Sequence, residues 1–311
     1  MQDNLESKTK KLMRKIGLGV GTVFLTVAVA ASALADKIYF TRGNDIWRMN
    51  DDGSNQEEVY SKKGWKSFAP SVSPDGNLLA FNSEREGEKN TRDVYIFDLE
   101  TRGEPRNLTG RWNPNGKDTY PDWSPDGQNI VFTGEKNGNS DIYVISVNDG
   151  TLRRLTTDVG LDLTPQYSLK GNKIVYANGK SFSDLDILVM NTDGSNKEVV
   201  VRDSDRSYFP SWSPDNNSIA YQKDEPKNKK ANIFLFDLKT GQESQITRNK
   251  TNSRMGAAHP SFSADGNYIV FSQGKGNDDI NSYEILVYNR KTGTITPLTN
   301  NRIADRFPSW N

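Results

Sequence analysis

Apolar runs of three or four residues, each set between polar turns, recur along this chain: Leu78 to Phe81, Ile130 to Phe132, Ile174 to Tyr176, Ile219 to Tyr221 and Ile269 to Phe271. After each comes a β-branched or aromatic run led by an acid or amide, as in Asp45-Ile46-Trp47, Asp93-Val94-Tyr95, Asp141-Ile142-Tyr143, Asp186-Ile187-Leu188 and Asn232-Ile233-Phe234. Short turns such as Asn148-Asp149-Gly150 and Lys239-Thr240-Gly241 follow, then a Leu-Thr or Ile-Thr pair at Leu108, Leu155, Ile246 or Leu298. With the Pro-x-aromatic-Ser segment (Pro-x-Val-Ser at Pro70) ahead of each apolar run, every unit holds four short strands of the kind that suit half-buried pleated surfaces.

The units share a landmark that reads Pro-Ser-Val-Ser-Pro-Asp-Gly at Pro70 and Pro-Asp-Trp-Ser-Pro-Asp-Gly at Pro121. It returns at Pro165, Pro210 and Pro260 and ends as a truncated Pro308-Ser309-Trp310, with intervals of 51, 44, 45, 50 and 48 residues. A period of about 40 to 50 residues built from several strands predicts the blades of a β-propeller. The expected fold is all-β: a six-bladed propeller of four-stranded blades. Its ring closes where the C-terminal Pro308-Ser309-Trp310 strand pairs with the first strand, Lys37 to Thr41, removing an exposed edge.

Turn chemistry accounts for the landmark without reference to function. The second proline of Ser-Pro-Asp-Gly sets φ near −65°, and the closing glycine supplies the positive φ of a tight hairpin. Asn216 stands in for glycine in the fourth copy, and Asn tolerates the left-handed region best after Gly. The aromatics Trp123, Tyr167, Trp212, Phe262 and Trp310 are expected on inner strands, packed between blades.

The N-terminus departs from this pattern. Lys8, Lys10, Lys11, Arg14 and Lys15 precede an uncharged run from Ile16 to Ala31, and Ala33-Leu34-Ala35 follows as a small-residue cleavage sequence. This predicts a secretory signal peptide over 1–35 and a propeller over 36–311, with no stable membrane span after cleavage. Taking 1–35 from the 40 basic and 40 acidic residues leaves 35 and 38, a slightly acidic chain that argues against a nucleic-acid partner. There is no cysteine, hence no disulfide or thiol chemistry.

The Pro-x-Trp-Ser-Pro-Asp-Gly copies, the Asp-Ile-Tyr strands and the Leu-Thr closures together resemble the TolB-like β-propeller repeat family over residues 37 to 311. The resemblance implies a periplasmic or secreted, non-catalytic module that binds a protein or peptide of the cell envelope, as TolB binds a peptidoglycan-associated lipoprotein. TolB carries an α/β domain ahead of its propeller, whereas this sequence runs from the signal-like segment into the first blade.

Uniform turns fall on one face of such a ring and variable loops on the other, where binding usually resides. That face is expected to carry the partner-binding residues Trp65, Trp112, Tyr120, Phe182, Tyr208, Phe209, Arg206, His259 and Arg306, aromatics and arginines being enriched at binding hot spots. Asp118, Asp162 and Asp305, each three residues before a motif proline, are candidates for an acidic ring able to take Ca²⁺. No other cofactor is expected, and a monomer is. His259 is the only histidine, and the chain has no Gly-x-Ser-x-Gly turn and no P-loop. Binding is therefore expected rather than turnover. The alternatives are a hydrolase or lyase using channel carboxylates, or a glycan-binding propeller using Trp65 and Trp112.

Overall fold

The computed structural model describes residues 37–84, 87–88, 90–202, 206–225, 230–249, 256–275 and 282–310; the signal-like segment lies outside them. No α-helix occurs among the described residues, and no helix there is long and apolar enough to cross a membrane.

The first repeat forms β1 (Lys37–Arg42), β2 (Asp45–Asn50) and β3 (Glu57–Tyr60), and the second forms β4 (Lys66–Val72), β5 (Leu78–Glu84), β6 (Asp93–Asp98) and β7 (Arg106–Asn107). Next come β8 (Lys117–Trp123), β9 (Asn129–Lys136), β10 (Asn139–Ser146) and β11 (Leu152–Arg154). They lead to β12 (Leu161–Tyr167), β13 (Lys173–Ser181), β14 (Asp184–Asn191) and β15 (Glu198–Val201). The remainder is β16 (Arg206–Trp212), β17 (Ser218–Glu225), β18 (Lys230–Asp237) and β19 (Glu243–Gln245), then β20 (Ala257–Phe262), β21 (Tyr268–Gly274), β22 (Tyr283–Asn289), β23 (Ile295–Pro297) and β24 (Asp305–Trp310).

Hydrogen bonding corrects the expectation of six equivalent four-stranded blades. Four sheets stand alone with four strands each, while β8 to β15 make a single eight-stranded sheet. The join is a parallel bridge between Ser140 of β10 and Leu161 of β12. The connecting loop is drawn in by Asn139, whose Oδ1 accepts from the Gly160 amide at 3.1 Å and whose Nδ2 donates to the Asp158 carbonyl at 3.3 Å. Any side chain at Gly160 would collide with the Gly179 carbonyl, 2.6 Å from an ideal Cβ, so glycine permits the close approach.

The propeller architecture itself holds. The inner strands β4, β8, β12, β16, β20 and β24 touch in turn, and β24 returns to β4. β24 also pairs antiparallel with β1, Ile38 opposite Trp310 and Arg42 opposite Asp305.

The repeated residues do repeated work. In the landmark turns Gly76, Gly127, Gly171, Asn216 and Gly266 take φ between 58 and 73°. Ser73 donates to Asp75, whose Oδ1 accepts the Asn77 amide, and the Leu78 amide returns to the Ser73 hydroxyl. In the Leu-Thr closures Thr109, Thr156, Thr247 and Thr299 each accept, at 2.9 to 3.0 Å, a backbone amide of the third strand (Val94, Ile142, Ile233, Ile285). The motif aromatics wedge between repeats: Trp123 lies among Ala80, Val94 and Ile96 on one side and Ile130 and Phe132 on the other. Its indole N–H reaches the Ser71 carbonyl at 3.1 Å.

Candidate functional site

Every inner strand breaks its ladder at the motif proline. The residue before it (Ala69, Tyr120, Thr164, Phe209, His259 or Phe307) has φ between 51 and 55°, and β4, β8, β12, β16 and β20 each shift register there. Such a bulge re-aims side chains. Here it turns the six pre-proline residues into the central channel, where Tyr120 and Phe209 meet at 5.3 Å, Phe209 and His259 at 4.3 Å, and His259 and Phe307 at 4.1 Å. These rings form an aromatic plug. Phe68 and Tyr208 extend it, with Phe68 6.3 Å from Phe307 and Tyr208 4.7 Å from Phe209.

A cavity of about 170 Å³ opens above the plug on the variable-loop side, walled by Phe68, Asn82, Arg92, Tyr120, Arg306 and Phe307. Two of its walls are arginines, Arg92 lying 5.2 Å from the Phe68 ring and Arg306 5.3 Å from Tyr283; Arg206, on β16, is 4.5 Å from Tyr208 and paired with Asp224. Below the plug, on the side of the Ser-Pro-Asp-Gly turns, lies a larger cavity of about 330 Å³.

The sequence-predicted site residues thus divide. Tyr120, Tyr208, Phe209, His259, Arg206 and Arg306 gather at the channel mouth. Phe182 stays on the β13–β14 hairpin, 61 % exposed, its carbonyl accepting from Arg206 at 3.3 Å. Trp65 and Trp112 do not join the mouth. Trp65 packs 5.1 Å from Tyr95 and Trp112 4.5 Å from Tyr143, each half-buried against a blade core with a lysine over its ring. Neither ring stands free of the blades, because the segments that carry them fold back onto neighbouring strands, Trp65 touching Tyr60 as well at 6.4 Å.

The three aspartates also stay apart. Asp118 accepts from Asn113 at 2.9 Å, Asp162 from Asn178 at 2.7 Å, and Asp305 from Arg42 at 2.7 and 2.9 Å and Asn301 at 2.7 Å. Each is committed within its own blade. Strand alternation would put a residue three before the proline on the channel side with its pre-proline neighbour, but the bulge intervenes. Among the described residues no group of three or more His, Asp or Glu is placed to hold a metal ion.

Burial shapes the titration of these groups. Desolvation holds the Asp118 carboxyl up to about 7, and Oδ2 is buried without a hydrogen-bond partner among the described residues. The folded chain therefore keeps a proton there that the unfolded chain releases above its ordinary value of 3.8. This contribution to stability is full below about pH 4 and lost as pH rises through about 7. Asp118→Asn is expected to gain about 1 to 3 kcal/mol relative to the parent between about pH 5 and pH 8. Urea denaturation at both pH values checks this; a constant difference would contradict it.

His259 shifts the other way. Burial, aided by the Arg306 guanidinium, lowers it to about 3 and keeps the imidazole neutral. Ser272 Oγ donates to the Ala258 carbonyl at 3.1 Å, so the 2.8 Å contact with His259 Nδ1 makes Nδ1 the donor. Ser272 is fully buried, so the pair is a structural clamp rather than a nucleophile and its base.

Sequence reading missed the residues after the motif prolines. Asp122 accepts the Tyr167 amide at 2.8 Å, Gln166 the Trp212 amide at 2.6 Å, and Ser261 the Trp310 amide at 3.1 Å, stitching β8 to β12, β12 to β16 and β20 to β24. The available signal was a polar residue at each of these positions, between a proline and a buried aromatic or valine.

Known proteins agree with this architecture. Residues 38–191 and 178–311 match the profile of the TolB β-propeller domain. An uncharacterized protein of Agrobacterium fabrum is 28 % identical over 62 % of this chain and 66 % of its own length. An uncharacterized peptidase of Bacillus subtilis is 25 % identical over 65 % of this chain, and the Tol-Pal system protein TolB of Francisella tularensis 27 % over 61 %. The match spans 29 % of that peptidase and 42 % of that TolB. Among solved structures, TolB from Acinetobacter baumannii superposes with a TM-score of 0.74 at 21 % identity, covering 88 % of this chain and 66 % of that one. The oligogalacturonate lyase of Vibrio parahaemolyticus shares the fold at a TM-score of 0.56 and 15 % identity, covering 81 % of this chain and 70 % of its own. The fold thus serves proteins named as enzymes as well as TolB.

Proposed function

Because this chain belongs to the TolB β-propeller domain family, we propose that it is an exported, non-catalytic module that binds a protein or peptide of the cell envelope at the channel mouth on its variable-loop face. One observation carries this reading. Phe68, Tyr120, Tyr208, Phe209, His259 and Phe307 converge there from five inner strands, and every ring is half-buried rather than closed over, with Arg92, Arg206 and Arg306 beside them. Large aromatics and arginine on a rigid scaffold supply contact area at little entropic cost. The same reading includes export through residues 1–35, a periplasmic location, a monomeric chain and no bound ion.

Turnover has less support, since among the described residues His259 is neutral, Ser272 is buried, Asp118, Asp162 and Asp305 are committed to their blades, and Asp224 is paired with Arg206. Yet a peptidase and a lyase share the fold, so the test must read both outcomes. Photo-crosslinking amino acids at Phe182 or Arg306 are expected to capture a discrete envelope partner, and the same probe at Asp149 or Lys239 on the turn face is not. Tyr208→Ala together with Arg306→Ala is expected to weaken that capture by about tenfold or more, as for hot-spot residues. Turnover of a peptide or oligogalacturonate by the purified chain, abolished by Asp224→Asn without unfolding, would replace binding with catalysis.

A further inference from the structure

The cavity of about 330 Å³ at the turn face lies at the opposite end of the channel from the proposed partner site, with the aromatic plug between them. Its walls are the motif aromatics, including Trp123, Trp212, Phe262 and Trp310, and its rim is made by turn residues such as Pro214 and Leu169. Its polar side chains are neutral apart from one, being serines and Gln166. Among the described residues that line it, the only carboxylate is Asp122, and no lysine, arginine or histidine is present. Asp122 lies where this cavity meets the plug, lining both spaces.

We propose that the turn-face cavity is a binding site for a small organic cation, an ammonium group on a short apolar or aromatic body, with Asp122 as its counter-ion. The carboxylate accepts the Tyr167 amide at 2.8 Å on one oxygen and a long 3.4 Å bond from Ser71 Oγ on the other. An ionised carboxylate has about four acceptor sites, so acceptor capacity remains on the cavity side. A desolvated carboxylate with no cation beside it is unfavourable, and burial accordingly holds this one up to about 7. An ammonium entering from the turn face would supply the missing charge, while the aromatic walls cover its apolar body and add cation–π attraction. The other members of the post-proline set, Ser and Gln, leave the cavity otherwise uncharged, so selection by sign rests on Asp122 alone.

Phenethylammonium is a suitable probe, read by fluorescence of the cavity tryptophans at about pH 8, where the carboxylate is ionised. It is expected to bind with a dissociation constant of about 1 mM or tighter, a modest demand for its size. The neutral isostere 2-phenylethanol should bind at least about tenfold more weakly, the worth of a charge-assisted hydrogen bond, and 3-phenylpropionate should not bind. Asp122→Asn should bring the amine down to the alcohol's level. If that variant is poorly folded, Leu169 offers an independent handle, being 57 % exposed at the rim. Leu169→Lys should weaken and Leu169→Glu strengthen amine binding, whereas Tyr208→Ala at the far mouth should leave it unchanged. The proposal fails if the alcohol binds as well as the amine, if no saturable signal appears below about 20 mM, or if the Leu169 charge variants have no effect of opposite sign. None of these results bears on partner capture at the other mouth.

Discussion

Deletion of residues 305–311 is expected to abolish the cooperative unfolding transition rather than lower its midpoint by a few degrees. β24 supplies the inner strand for β1 and touches both β4 and β20, so its loss opens the ring at two places and exposes the β1 edge. Three further contacts go with it. Trp310 leaves the cluster of Ile38, Phe40, Val270 and Ile285, Phe307 leaves the plug, and Arg42 loses Asp305, whose side chain is fully buried. A large aromatic deletion costs about 3 to 5 kcal/mol, which with the lost strand is comparable to the whole stability of a typical domain. Circular dichroism melts and gel filtration of the truncated chain check this; a midpoint within about 2 °C of the parent would overturn the closure argument.

Trp212→Ala is expected to cost about 3 to 5 kcal/mol, because the indole is buried between Val175, Ala177 and Ile187 of one repeat and Ile219 and Tyr221 of the next. Removing it separates two repeats rather than denting one. Trp112→Ala should cost less, about 1 to 2 kcal/mol, since Trp112 is only half-buried and packs on Tyr143 and Phe132 within a single blade. Urea denaturation of the two variants measures the difference; equal losses would show that the inter-repeat wedge is no more important than a loop-to-blade contact.

The legible part of this protein is the part governed by local chemistry. Ser-Pro-Asp-Gly could be read as a turn because the φ preferences of Pro, Gly and Asn act within four residues, and Gly76, Gly127 and Asn216 have the expected positive φ. Trp123, Tyr167, Trp212 and Phe262 could be read as inter-blade wedges because a large aromatic stands two residues beyond every motif proline but Pro70, with the period of the fold, and all four are buried. The join of β10 to β12 escaped such reading. It depends on Asn139 reaching over a loop to Gly160 and on the space beside Gly179, which are relations across the chain.

The candidate site was half legible for the same reason. Tyr120, Phe209 and His259 are among the residues expected on the variable-loop face, yet each stands ahead of a motif proline, a position that ordinarily prefers extended backbone. All six adopt the left-handed region instead, β-branched Thr164 among them, at a local cost that only the surrounding ring can offset. That conformation reverses strand alternation, sending Asp118, Asp162 and Asp305 back into their blades and leaving Asp122 at the channel. The amino-acid sequence by itself determined the repeat, its turns, its wedges and the family, because each rests on interactions between near neighbours or on periodicity. Which side chains face the channel, which loops fold back, and how two repeats join in one sheet were decided by tertiary structure, because closing the ring imposes bulges and contacts whose partners lie dozens to hundreds of residues apart.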